Sequence, residues 1–265
     1  MVTSGSVDKK QYDHNNVAAG YKLYENGFTM NKLEFELIRT ALGDCTGLKI
    51  LDLGGGLGTH ARQAIEAGAD FVHVVDISES MIEIGKGIAA QAGLEGRIRW
   101  NVADATIPLA EQGVTGVLGP GAYDVVMANW VFDHANTEDD LRGMWANIAS
   151  SLKPGGKFLG VRCVSSGFNA DHVSNGKYGV KFDDFKEIPG GARCTIIILN
   201  DPPTIFESTT MADSYNMTND IPKGLGMIDF EIVPAEKAEV IKSDPEFWKE
   251  YLEAPHFAVV TAKRG

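Results

Sequence analysis

A chain of 265 residues, 44% hydrophobic and 23% charged, is long enough for one α/β domain with a full core and has an ordinary globular make-up. Its net charge of −12, from 24 basic and 36 acidic residues, opposes binding to nucleic-acid phosphates or an anionic membrane, and no stretch gathers enough lysine and arginine to reverse that. Three scattered cysteines (Cys45, Cys163, Cys194) suit neither a disulfide framework nor a metal site. With no bilayer-length apolar run and no signal-peptide core, the expectation is a cytoplasmic protein acting on a small molecule.

Residues 1–10 read as a loose arm. Residues 12–21 have short helical character and carry two tyrosines, Tyr12 and Tyr21. Residues 31–42 form an amphipathic helix with Leu33, Phe35, Leu37, Ile38 and Leu42 on its apolar side, and Gly43 and Gly47 mark its end. The centre then alternates. Strands are expected at 49–53, 71–75, 97–102, 123–128 and 157–164; helices at 59–68, 78–92 and 137–152. A connection rich in glycine and proline spans 106–121, and Lys153-Pro154-Gly155-Gly156 stops the last of these helices. Such alternation means a parallel sheet covered by helices on both faces.

Beyond residue 164 the pattern changes. Residues 165–178 look like a loop. Strands at 179–185 and 192–199 flank Ile188-Pro189-Gly190-Gly191, and with a third strand expected at 204–210 they predict a small antiparallel insertion that serves as a lid. The main sheet resumes with a weak helix at 215–225 and a strand at 227–233. A helix at 244–252 has Ser243 or Asp244 as its cap and Pro245 in its first turn, and a last strand covers 256–263.

The chemistry concentrates where the first strand ends. Asp52-Leu53-Gly54-Gly55-Gly56-Leu57-Gly58 joins a strand to a helix, and Asp76 ends the next strand. This is a nucleotide-binding βαβ unit, whose acid can accept both hydroxyls of a ribose. The spacing is acid-x-G-x-G-x-G. Thr59 stands where a dinucleotide fold needs its last glycine, so a dinucleotide oxidoreductase is disfavoured.

These segments resemble the class I S-adenosylmethionine-dependent methyltransferases. Asp52–Gly58 is similar to that superfamily's first motif and Val74-Val75-Asp76-Ile77-Ser78 to its second, with Met81 where a side chain often packs near the cofactor. Asn101-Val102-Ala103-Asp104-Ala105 is similar to the third, Tyr123-Asp124-Val125-Val126-Met127-Ala128-Asn129-Trp130 to the fourth, and Leu152-Lys153-Pro154-Gly155-Gly156 to the last. The resemblance covers residues 48–164. Tyr12 and Tyr21 fit the opening segment with which small-molecule members close over the cofactor's methionine end; packing of an amino-terminal helix is the alternative. Tyr178 to Ile197 and Phe206-Glu207-Ser208-Thr209-Thr210 further resemble toxoflavin-synthase-like methyltransferases.

The resemblance implies a Rossmann-like, doubly wound, seven-stranded, mostly parallel sheet with helices on both faces and an antiparallel lid. A single domain would comprise a helical arm (1–45), a cofactor core (46–164), a substrate lid (165–210) and the rest of the sheet (211–265). The cofactor would be S-adenosyl-L-methionine, leaving S-adenosyl-L-homocysteine. Its implied site is Tyr12, Tyr21, Asp52, Gly54, Gly55, Gly56, Gly58, Asp76, Ile77, Met81, Asp104, Ala105, Asn129 and Trp130, with no metal. Methyl transfer to O, N, S or C of a small acceptor needs alignment and sometimes a base. His134 is the one ionisable base-like side chain in the loop after Trp130, and capping or packing the start of the next helix is its alternative role. Tyr21, Trp130, His134, His172, Tyr178 and Arg193 are candidate acceptor contacts, whereas Asp133 reads as solvated or as N-terminal to the next helix, not as catalytic. Asn200-Asp201-Pro202-Pro203-Thr204 mimics a nitrogen-methylation motif but lies in the insertion, and reads as a turn. Two further readings use the same scaffold: a cyclising or rearranging enzyme and a non-catalytic cofactor-binding module. A monomer or homodimer is expected, without nucleic-acid or membrane partners.

Overall fold

The computed structural model describes residues 7–14, 17–24, 27–114 and 119–265. Residues 1–6 of the expected loose arm, Asn15 and Asn16, and residues 115–118 of the Gly/Pro-rich connection lie outside the described residues.

Five strands, β1 (Lys49–Leu53), β2 (Phe71–Asp76), β3 (Ile98–Val102), β4 (Tyr123–Met127) and β5 (Leu152–Cys163), are joined in parallel. A three-stranded antiparallel sheet follows, made of β6 (Val180–Ile188), β7 (Gly191–Ile198) and β8 (Thr204–Met211). The chain then returns with β9 (Met227–Ile232) and β10 (Phe257–Arg264); β10 adds antiparallel to β5, and β9 antiparallel to β10. The large sheet has the order β3-β2-β1-β4-β5-β10-β9. β1 and β2 are buried runs of Ile, Leu and Val, as strands covered on both faces must be.

Helices α1 (Val17–Tyr24), α2 (Thr29–Leu42), α3 (Thr59–Glu66), α4 (Glu79–Gln91) and α5 (Glu138–Ser151) flank the sheet. α2 buries Leu33, Leu37, Ile38 and Ala41 and ends at Gly43, whose N–H returns to the Arg39 carbonyl. α4 starts at Ser78 and α5 at Thr137, each a side-chain cap that satisfies an otherwise orphaned N–H.

Four expectations shift. β5 begins at Leu152, directly after α5, so Lys153-Pro154-Gly155-Gly156 lies inside a strand with an irregular register. The loop at 165–178 contains the one-turn helix α6 (Asp171–Ser174). Residues 215–225 split into α7 (Ala212–Tyr215) and α8 (Asp220–Gly224), separated by Asn219 in a left-handed conformation. The helix at 244–252 is instead α9 (Glu239–Ser243) and α10 (Lys249–Glu253). Asp244 accepts the Phe247 N–H at 3.1 Å in the turn between them, a local bond that competes with helix.

Candidate active site

Strand register brings the motif residues to one edge. Asp52 pairs with Val74 on one side and Met127 on the other, and Asp76 pairs with Val102. The ends of β1, β2, β3 and β4 therefore open together, and the order reverses between β1 and β4, where open α/β sheets bind ligands.

The turn after β1 is tied to β2. Gly54 N–H donates to the Val75 carbonyl at 2.7 Å, and Gly56 N–H to Asp76 Oδ2 at 2.8 Å. Ser78 N–H donates to Asp76 Oδ1 at 2.9 Å, so both carboxylate oxygens are aimed and each keeps lone pairs for a ligand. Burial raises the Asp76 pKa, and these N–H groups oppose the rise. Gly56 has φ 51°, and an added Cβ would stand 4.0 Å from Asp76 Oδ2, inside the cradle.

A cavity of about 190 Å³ runs from this cradle to the lid. Tyr12, Tyr21, Gly54, Gly55, Gly56, Asp76, Ile77, Met81, Asp104, Ala105, Asn129, Trp130 and His134 all line it. Asp52 and Gly58 do not. Asp52 lies 1% exposed beneath Gly55, its carboxyl pushed up to about 7 by burial against the pull of His60, and it supports the turn from below. Gly58, with φ 70°, precedes α3, and a Cβ there would strike the Trp100 ring.

Three expected acceptor contacts also lie elsewhere. His172 and Tyr178 are 2% and 1% exposed, in an aromatic cluster between lid and carboxyl-terminal segment. His172 Nε2 is 3.1 Å from His256 Nδ1, and Tyr178 stacks on Trp248 at 4.8 Å. Aromatic burial and a satisfied hydroxyl claim them as packing residues. Arg193 pairs with Glu207 across β7 and β8.

Tyr12 Oη lies 2.9 Å from His134 Nε2, and the imidazole tautomer sets which group donates. Burial drives the His134 pKa down to about 4 and the Tyr12 pKa far up, so phenol and imidazole are both neutral near pH 7. Tyr21 and Phe206 complete an aromatic wall, with ring centroids 5.5–5.6 Å from Tyr12. Trp130 holds a left-handed conformation, φ 62°, as it turns from β4 into the site; such strain in a non-glycine residue gathers at functional sites. Asn129 Oδ1 accepts the Val161 N–H at 3.2 Å, which leaves Nδ2 buried without a partner. The amide thus offers a donor, suited to a carboxylate or carbonyl oxygen and not to an ammonium. Asp133, expected to be solvated, is 3% exposed. Burial pushes its carboxyl up to about 6, while Thr210 and Cys163 beside it pull the other way.

Several residues were not anticipated. Glu34 of α2 is 3% exposed, with one oxygen 3.1 Å from His60 Nε2. Its signal was legible as a carboxylate on the apolar stripe of α2. Residues 7–13 are anchored, not loose. Val7 exchanges bonds with Asn136, Lys9 Nζ reaches Asp104, Thr106 and Asp140, and Gln11 bonds the Glu207 backbone twice. Asp13 Oδ1 accepts from Ser78 Oγ at 2.6 Å and Ser80 N–H at 3.0 Å. Asp104 is held below the usual carboxylate range, since Thr106 and Lys9 outweigh its burial.

A family described as "Methyltransferase domain" matches residues 50–156. Phosphoethanolamine N-methyltransferase 2 of Caenorhabditis elegans is 28% identical over 160 residues, covering 58% of this chain and 33% of that protein. The ubiquinone/menaquinone biosynthesis C-methyltransferase UbiE of Acidiphilium cryptum (strain JF-5) is 36% identical over 112 residues, covering 42% and 40%. The matched part is well under half the length of these curated relatives. Among solved structures, the CcbJ methyltransferase of Streptomyces caelestis superposes with a TM-score of 0.68 at 17% identity, over 97% of this chain and 99% of that one. The [4+2]-cyclase SpnF does so at 0.54 and 15%, over 88% and 81%. These structural likenesses establish the Rossmann-like fold.

The cofactor of this domain class is S-adenosylmethionine, and the edge fits it. Asp76 keeps lone pairs that a pair of hydroxyls could use, Gly56 leaves the room a Cβ would fill, and Asn129 Nδ2 is an orphaned donor in the same cavity.

Proposed function

We propose, from the premise that this chain carries a class I S-adenosylmethionine-dependent methyltransferase domain, that the protein methylates a small-molecule acceptor held between the β1–β4 edge and the lid. The supporting observation is one cavity lined by the Gly56–Asp76 cradle, by the Tyr12–His134 pair and by the lid strands. The cofactor supplies an electrophilic methyl group on a sulfonium. Asp76 holds the ribose, Asp104 meets the adenine edge, and Asn129 Nδ2 donates to an oxygen of the methionine end. Tyr12, Tyr21, Phe206 and Trp130 offer ring faces, which favour positive charge and exclude water.

His134 is neutral at pH 7 and so is free to accept a proton, directly or through the Tyr12 hydroxyl. Its low basicity suits a nucleophile that loses its proton late, as positive charge builds on it. Residues 1–45 serve as the closing arm, 46–164 as the cofactor core, 165–210 as the lid, and 211–265 complete the sheet. We infer a cytoplasmic monomer or homodimer that binds neither nucleic acid nor membrane.

Incubation with methyl-labelled cofactor and an acceptor panel tests this. Label appearing in the acceptor supports transfer; acceptor converted with the label retained on the cofactor supports a cyclising enzyme. His134→Ala should lower kcat about a hundredfold with cofactor affinity unchanged, since proton transfer contributes roughly that much. Undiminished kcat removes His134 from the mechanism.

A further inference from the structure

The lid turns an apolar face to the cavity. Period-two alternation points Val180 and Phe182 of β6, Ile196 and Ile198 of β7, and Phe206 of β8 inward, and all five line it. The same alternation sends Lys181 and Arg193 away, and a register shift after Asp183 sets Lys186 opposite Arg193. Lys181 pairs with Asp183, Lys186 with Asp184 and Arg193 with Glu207, and none of the three lines the cavity.

The charged groups that line the cavity are mostly acidic: Glu34, Asp76, Asp104 and Asp133. Among the described residues, Lys9 is the one lysine or arginine in the lining. Its ammonium is engaged by Asp104 at 3.3 Å and Asp140 at 3.2 Å, so its charge is already answered. The residues outside the described set include no lysine or arginine. His60 is held by Glu34 and Gln63, and His134 by Tyr12. A carboxylate, phosphate or sulfate brought under the lid would lose its water, meet apolar side chains, and face carboxyl groups of its own sign.

We propose that the acceptor is a largely apolar molecule carrying no negative charge away from its reacting atom, either neutral or bearing an amine. This deepens the reading of the cavity as an acceptor site and rests on it. Charge on the reacting atom is a separate matter, answered by the sulfonium when the cofactor is bound.

The test uses the full chain saturated with S-adenosylhomocysteine and three probes that share a ring: 4-ethylphenol, tyramine and 3-(4-hydroxyphenyl)propionate. Calorimetric titrations are run with and without magnesium. The phenol and the amine should bind, and the acid should bind at least about tenfold more weakly under both conditions, since like charges in such a site cost over a kcal/mol. An acid that binds as tightly as the phenol, with or without magnesium, overturns the proposal. So does the failure of all three probes to bind the loaded protein. Failure of S-adenosylhomocysteine itself to bind strikes the proposed function instead. Phe206→Lys, checked for retained S-adenosylhomocysteine affinity, should shrink the acid's deficit severalfold. An undiminished deficit places the discrimination elsewhere and counts against the proposal. If that variant does not fold, the wild-type comparison still decides.

Discussion

Asp13 and Asp76 bind the same serine. Ser78 gives its N–H to Asp76 and its hydroxyl to Asp13, so an arm residue braces the loop that aims the acid proposed to hold the ribose. Asp13→Ala should raise KM for S-adenosylmethionine about fivefold with kcat little changed, the scale of a lost helix-start contact. Asp13→Asn, which keeps the accepting oxygen, should restore it. A second residue-level prediction concerns Asp133. Burial raises its pKa to about 6 from 3.8, so between those values the folded state keeps a proton that the unfolded chain releases. Stability contributed by the protonated form is present below that window and is lost as pH rises through it. Asp133→Asn has no such proton, and its melting temperature should fall less between pH 4 and pH 7 than that of the wild type. Parallel curves would show that Asp133 does not titrate as described. At this scale the sequence was half legible. Asp76 and Gly56 followed from spacing because backbone geometry dictates them. The positions of His172, Tyr178 and Arg193 did not, because side-chain partners more than 50 residues away claim the first two and a cross-strand pairing the third.

Among the elements, the strand–turn–helix units were readable because period and glycine placement are local signals. Gly58→Ala tests the tightest of these turns. It combines a left-handed backbone with a collision against Trp100, and should cost about 2 kcal/mol or more in chemical denaturation. A smaller loss would mean that the Trp100 ring gives way freely. The lid strands were legible from their alternation, and Phe206 lay in a segment already singled out. The anchoring of residues 7–13 was not, because their polar composition resembles that of a free tail. Lys9, Gln11 and Asp13 find partners only once residues near 78, 104, 140 and 207 converge on one rim. The helix expected at 244–252 failed for the opposite reason: Asp244 and Pro245 mark a helix start equally well as a turn between two short ones.

At the scale of the molecule, the acidic balance runs from the surface into the site, where carboxyl groups outnumber free cations among the described residues. No helix of the described residues is long and apolar enough to cross a membrane. The large sheet presents a fixed edge, and residues 7–13 and the three-stranded sheet bond each other through Gln11 and Glu207; in the proposed function they close over the cofactor as a connected pair. The proposed function therefore assigns choice of methyl donor and choice of acceptor to different parts of the chain. The most direct test of that division is calorimetric titration of S-adenosylhomocysteine into the wild type and into Asp76→Ala. The wild type should bind, and the variant should lose about a hundredfold in affinity, as loss of a charged hydrogen-bond partner predicts. Equal affinity in the two proteins would contradict the assignment of this edge as the cofactor site.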